Sequence, residues 1–79
     1  MTRVVVYGKP GCSFCTNAKG LLERNIIEYD YIDISEDKEA YSYIIEQGHK
    51  TVPQIYIDKR HIGGYNELLA HMTKRSGKI

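Results

Sequence analysis

Apolar and polar positions along this chain follow two periods in turn, and the switches between them mark its elements. Val4-Val5-Val6-Tyr7 is continuously apolar and β-branched, the pattern of a central strand buried on both faces. Gly8 and the Pro10-Gly11 pair break it into a turn. From Ser13 to about Arg24 the residues Ala18, Leu21 and Leu22 recur at helical spacing. Thr16, Lys19 and Glu23 turn to water, and Asn25 reads as the stop. Ile26 to Ile34, rich in Ile and Tyr, predicts a second strand with blurred alternation. Ser35 followed by Glu36 and Asp37 reads as a helix start, a hydroxyl N-cap with acids in the first turn. This second helix runs to about Gln47, buries Ala40, Tyr41, Ile44 and Ile45, and is capped by Gly48. Gln54 to Ile57 is a short third strand, Asp58-Lys59-Arg60 a tight turn, and His61-Ile62 a fourth strand ended by Gly63-Gly64. Asn66 to about Thr73 predicts a last helix with Leu68, Leu69 and Met72 inward, and Lys74 to Ile79 a frayed end.

The order is therefore β-α-β-α-β-β-α, an α/β chain. A first β-α-β unit requires two parallel strands, and a β-β hairpin is antiparallel. The expected architecture is a mixed four-stranded sheet with three helices on both faces. Seventy-nine residues allow a single domain, residues 1–79, with a modest core.

A formal net charge of +1 argues against a nucleic-acid partner, and no apolar run approaches the roughly twenty residues that span a bilayer. Met1-Thr2-Arg3 leads into a Val run too short and too β-branched for a signal peptide. The expected compartment is the cytoplasm, where two cysteines point to redox or metal chemistry rather than a structural staple.

Those two cysteines sit in Lys9-Pro10-Gly11-Cys12-Ser13-Phe14-Cys15, between the first strand and the first helix. Both sulfurs fall on the first helical turn, where unpaired N–H groups and the helix dipole favour negative charge. A thiolate is the nucleophile of disulfide exchange. Zinc needs about four ligands in a structural site, and His49, His61 and His71 lack ligand spacing; each also reads as a surface histidine. A disulfide across two residues closes too small a loop to add much stability. Redox exchange remains, with Cys12 as the exposed nucleophile and Cys15, one turn deeper, as the resolving thiol. Lys9 reads equally as a charge that lowers the Cys12 pKa and as an ordinary exposed lysine.

Two further stretches carry signals. Pro53 at the head of a strand is either a loop proline or, if cis, a bend exposing the Val52 backbone to an extended peptide. Gly63-Gly64-Tyr65-Asn66-Glu67 reads as a turn with Asn66 as N-cap. It also reads as a close-approach site where a helix N-terminus receives a carboxylate.

Taken together, Tyr7-x-Lys9, Cys12-x-x-Cys15, Thr51-Val52-Pro53-Gln54-Ile55 and His61-Ile62-Gly63-Gly64-Tyr65 closely resemble a glutaredoxin of the small bacterial or phage dithiol class. The resemblance spans nearly the whole chain and implies the thioredoxin-like fold, with Pro53 cis and facing the cysteines. It implies a monomeric glutathione-disulfide oxidoreductase in which Cys12 and Cys15 form the redox-active disulfide. Glutathione would lie against Lys9, Cys12, Phe14, Thr51, Val52 and Pro53, its γ-glutamyl end held by Gly64, Tyr65, Asn66 and Glu67. Partners implied are disulfide-containing proteins such as ribonucleotide reductase. Two other functions stand beside this one: a redoxin reduced by thioredoxin reductase, and a carrier of a [2Fe–2S] cluster shared between two subunits. The second follows from Ser13-Phe14, where members commonly have Pro-Tyr. No metal bound by this chain alone is expected.

Overall fold

A computed structural model describes residues 3–76. Strand β1 (Val4–Gly8) leads into helix α1 (Ser13–Arg24), then strand β2 (Asp30–Asp33) and helix α2 (Lys38–Glu46). Strands β3 (Gln54–Ile57) and β4 (Arg60–Gly63) follow, and helix α3 (Tyr65–Ser76) closes the order. The four strands form one sheet in the order β2-β1-β3-β4. β1 runs parallel to β2 and antiparallel to β3, and β3 is antiparallel to β4. This is the mixed four-stranded sheet that the element order predicts, in the thioredoxin-like arrangement that the resemblance implies.

Alternation along β1 and β3 sorts the two faces. Val4 and Val6 lie opposite Ile57 and Ile55. Val4, Val6 and Ile55 make the core with Ala18, Leu21 and Leu22 of α1 and Leu68 and Met72 of α3, and the partly buried Ile57 packs against it. The register places Val5 opposite Tyr56 and Tyr7 opposite Gln54 on the other face. There α2 covers the sheet through Tyr43, whose ring centroid lies 5.9 Å from those of Tyr7 and of Tyr56. Helices thus occupy both faces. The chemistry is left at one end of the sheet, where β1 runs into α1.

Several boundaries differ from expectation, each for a local reason. The second strand begins at Asp30 rather than Ile26, because the chain leaves α1 through a helix-terminating turn. The Ile26 N–H donates to Glu23 O and the Ile27 N–H to Leu22 O, with Ile26 at φ 56°. Ser35 does not cap α2. Its hydroxyl and its N–H both donate to Asp33 Oδ1, at 2.5 and 2.9 Å, so Asp37 caps instead by accepting from Ala40 N–H at 3.0 Å. Gly48, at φ 87°, closes that helix as expected, its N–H donating to Ile45 O while His49 N–H donates to Ile44 O.

Of the face predicted for α2, Ala40 and Ile44 are buried, whereas Tyr41 and Ile45 are about half exposed. The two sit beside a hollow of about 300 Å³ shared with Lys9, Ile34, Lys50 and Val52. On α3, Leu68 and Met72 face inward but Leu69 is 40 % exposed. That helix continues through Ser76, so Lys74–Ser76 are helical rather than frayed, and the remainder of the predicted frayed end lies outside the described residues.

Candidate functional site

Three loops meet at the end of the sheet. The first descends from β1 through a turn in which Gly11 adopts φ 75°. Cys12 then takes an extended conformation as the N-cap of α1. Its sulfur accepts the Cys15 N–H at 3.1 Å, while its carbonyl receives the first helical bond from Thr16. A sulfur in this position faces the positive end of the helix dipole, which favours thiolate over thiol when the cysteine is reduced. Cys12 is partly exposed, whereas Cys15 is only 1 % exposed. The two sulfurs are joined as a disulfide, with Cα atoms 5.2 Å apart.

Cys15 is packed from below. A Cβ built on Gly8 would run into the Tyr31 hydroxyl and stand 2.9 Å from the Cys15 sulfur. Gly8 is therefore glycine because the space above it is already filled. Burial, then the charge of Asp33, pushes the Tyr31 phenol above its ordinary pKa, so it stays protonated beside the sulfur.

The second loop carries Thr51, Val52 and Pro53. The Val52–Pro53 peptide bond is cis. The Val52 carbonyl oxygen lies 3.7 Å from the Cys12 sulfur, and Pro53 is buried beneath it. Lys9 and Thr51 are both exposed and line, with Val52, the hollow on the α2 side.

The third loop is Gly63-Gly64 and the start of α3. Here the expected N-cap is corrected. The helix begins at Tyr65, and Gly64 N–H donates to Glu67 Oε1 at 2.8 Å, the reciprocal half of a capping box. Asn66 sits exposed within the first turn instead. A Cβ on Gly64 would come to 3.4 Å from the Pro53 carbonyl oxygen, which brings the third loop against the second. The Phe14 and Tyr65 rings, 6.2 Å apart, bridge the starts of α1 and α3. The sequence-predicted residues thus fall into one ring. Cys12, Val52, Pro53 and Gly64 form its centre and Phe14 with Tyr65 one wall. Lys9 and Thr51 lie to the α2 side, and Asn66 and Glu67 on the first turn of α3.

Sequence spacing missed a polar cluster behind the second loop. His49 and His61, far apart in the chain, stack with ring centroids 4.3 Å apart. His49 Nε2 is 2.9 Å from the Tyr56 hydroxyl and His61 Nε2 2.6 Å from Gln54 Oε1. Burial, then the neighbouring His61, lowers the His49 pKa; burial, with Tyr43 alongside, pushes the Tyr56 phenol up to about 12. The available signal was Gln54 itself, a polar residue in an otherwise apolar strand. Among the described residues, no group of three or more His, Cys, Asp or Glu side chains is placed to hold a metal ion.

Comparison with known proteins agrees with this geometry. The glutaredoxin family model matches residues 4–62. A glutaredoxin from Haemophilus influenzae is 38 % identical over 84 residues, covering 96 % of this chain and 97 % of that protein. The crystal structure of glutaredoxin 1 from Francisella tularensis complexed with cacodylate is similar with a TM-score of 0.75 and 35 % identity, covering 99 % of this chain and 100 % of that one. A buckwheat glutaredoxin–glutathione complex is similar at 0.77 and 26 %, covering 98 % and 72 %. A cysteine pair at a helix start, three converging loops and this likeness along the whole length lead to one assignment: the chain belongs to the glutaredoxin family of thiol–disulfide oxidoreductases.

Proposed function

We propose that this chain is a dithiol glutaredoxin that uses glutathione as its reductant. The observation that carries the reading is the meeting of two features at one sulfur. Cys12 Sγ accepts a helix N–H at 3.1 Å and stands 3.7 Å from the Val52 carbonyl, which suits a thiolate beside an open peptide backbone.

In the proposed cycle the Cys12 thiolate attacks a disulfide, and the displaced thiolate leaves and takes up a proton. If the partner is a glutathione mixed disulfide, a second glutathione thiolate attacks the Cys12–glutathione bond, frees Cys12 and leaves as oxidised glutathione. If the partner is a protein disulfide, Cys15 attacks the mixed disulfide, releases the reduced protein and closes the Cys12–Cys15 bond. Two glutathiones then open that bond and leave joined to each other. Glutathione lies with its cysteine against Thr51, Val52 and Pro53, with Lys9 and Phe14 on either side. Its γ-glutamyl end meets Gly64, Tyr65, Asn66 and Glu67, where the first-turn N–H groups of α3 await a carboxylate. The complex of the buckwheat relative with glutathione supports this reading.

The remaining parts of the proposal are a single domain over residues 1–79, a monomer in the cytoplasm, and protein disulfides such as that of ribonucleotide reductase as substrates. Among the described residues no helix is long and apolar enough to cross a membrane. The test is a coupled assay with a disulfide substrate and NADPH, reduced either by glutathione with glutathione reductase or by thioredoxin reductase alone. Turnover in the first system is expected; turnover only in the second overturns the glutathione reading.

A further inference from the structure

Gln54, on the α2 face of the sheet, is a polar side chain only 7 % exposed, and both ends of its amide are engaged. Its Nε2 donates to the Thr51 carbonyl at 2.9 Å and lies 3.5 Å from the Thr51 hydroxyl. Its Oε1 is 2.6 Å from His61 Nε2. A carbonyl can only accept, so the amide nitrogen belongs on Thr51 and the oxygen on His61. His61 must then donate through Nε2, which the imidazole does as that tautomer or as the cation. His61 is itself braced by stacking on His49, whose Nε2 meets the Tyr56 hydroxyl. The redox cycle uses neither Gln54 nor His61, His49 or Tyr56.

The consequence lies one peptide unit away. The Thr51–Val52 bond is trans, the cis bond being the next one, Val52–Pro53. In a planar trans unit the C=O and N–H point in opposite directions. Pulling the Thr51 carbonyl inward to Gln54 therefore turns the Val52 N–H outward. That N–H has no hydrogen-bond partner among the described residues, and the carbonyl of the same residue stands 3.7 Å from the Cys12 sulfur. The pair is a short length of strand edge presented beside the nucleophile.

We infer that Gln54, held by His61, is a positioning residue that aims the Val52 N–H at the backbone of a peptide-like thiol bound over Cys12. The inference rests on the glutathione reading above and names what prepares that site. Gln54 does not touch the reacting sulfurs; its effect is on binding geometry rather than on the chemical step.

The experiment compares Gln54→Met, which keeps length and apolar packing while removing both hydrogen bonds, with the unmutated protein. The substrate is a glutathionylated peptide, and an aromatic disulfide with no peptide group serves as reference. KM for the glutathionylated peptide is expected to rise about tenfold, the loss of roughly one hydrogen bond, with kcat within about twofold. The preference for that peptide over the aromatic disulfide falls in proportion. His61→Phe, which keeps a ring stacked on His49, shifts KM in the same direction by less. A Gln54→Met protein with lowered Tm and unchanged KM has lost only structure, and overturns the inference.

A second measurement needs no change at Gln54. In Cys15→Ser, forming the mixed disulfide between Cys12 and glutathione should move the Val52 amide resonance downfield, and an unmoved resonance overturns the inference. If the unmutated protein itself shows no preference for the glutathionylated peptide, the glutathione reading falls and takes the inference with it. That failure is seen before any variant is made.

Discussion

Gly8 shows how little room the site leaves for a single added carbon. Alanine there would set its methyl against the Tyr31 hydroxyl and the Cys15 sulfur, both anchored in packed elements. Gly8→Ala is expected to cost about 1–3 kcal/mol in urea denaturation, the range for overpacking, and to slow the step that uses Cys15. The two cysteines separate at the same scale. Cys15→Ser should retain removal of glutathione from mixed disulfides, which requires Cys12 alone, and lose reduction of protein disulfides that depend on resolution. A stopped-flow assay with each substrate checks this, and loss of both activities would reverse the assigned roles.

At the scale of elements, what decides each boundary is where the last few backbone groups find partners. Helices α1 and α2 end in the same pair of reversed hydrogen bonds, but the left-handed position is filled by Gly48 in one and by Ile26 in the other. Ile26 is β-branched and 91 % exposed, so its side chain pays a conformational cost and contributes little packing. Ile26→Gly is expected to raise stability by about 0.5–1 kcal/mol, read from the shift in Tm.

The same boundaries show what the sequence could reveal. Helix α1 was legible to the residue, because its apolar stripe, its Cys12 start and its Asn25 stop agree. The start of α2 was not, since Ser35 and Asp37 are both good caps and only the fold commits the Ser35 hydroxyl to Asp33. Tyr41 and Ile45 share helical spacing with Ala40 and Ile44, and spacing cannot say which side of a wide apolar stripe meets the sheet. The centre of the site was readable from three short stretches. The Gln54–His61 support behind it was not, because those residues meet only through pairing of β3 with β4.

Over the whole molecule, the polar cluster behind the second loop couples stability to pH. Burial, then the neighbouring His61, holds the His49 pKa below its ordinary value of 6.5. The unfolded chain therefore takes up this proton more readily than the folded one. The stabilisation is complete above pH 6.5, falls as pH drops below 6.5, and levels off once the folded His49 also protonates. Thermal denaturation between pH 7.5 and 5 should show Tm falling more steeply for the unmutated protein than for His49→Gln. Equal slopes would remove His49 as the source.

The strand order has a consequence for life at high concentration. β2 and β4 are the outer strands, and each is only four residues long. Asp30 and Asp33 stand at the two ends of β2, and Arg60 opens β4. An incoming strand would find a short template with charge at its margins, a poor seed for edge-to-edge growth. Strand β1, with its run of three valines, is enclosed between two neighbours. Among the described residues, both open edges of the sheet are thus short and carry charge, which disfavours the addition of a stray strand there.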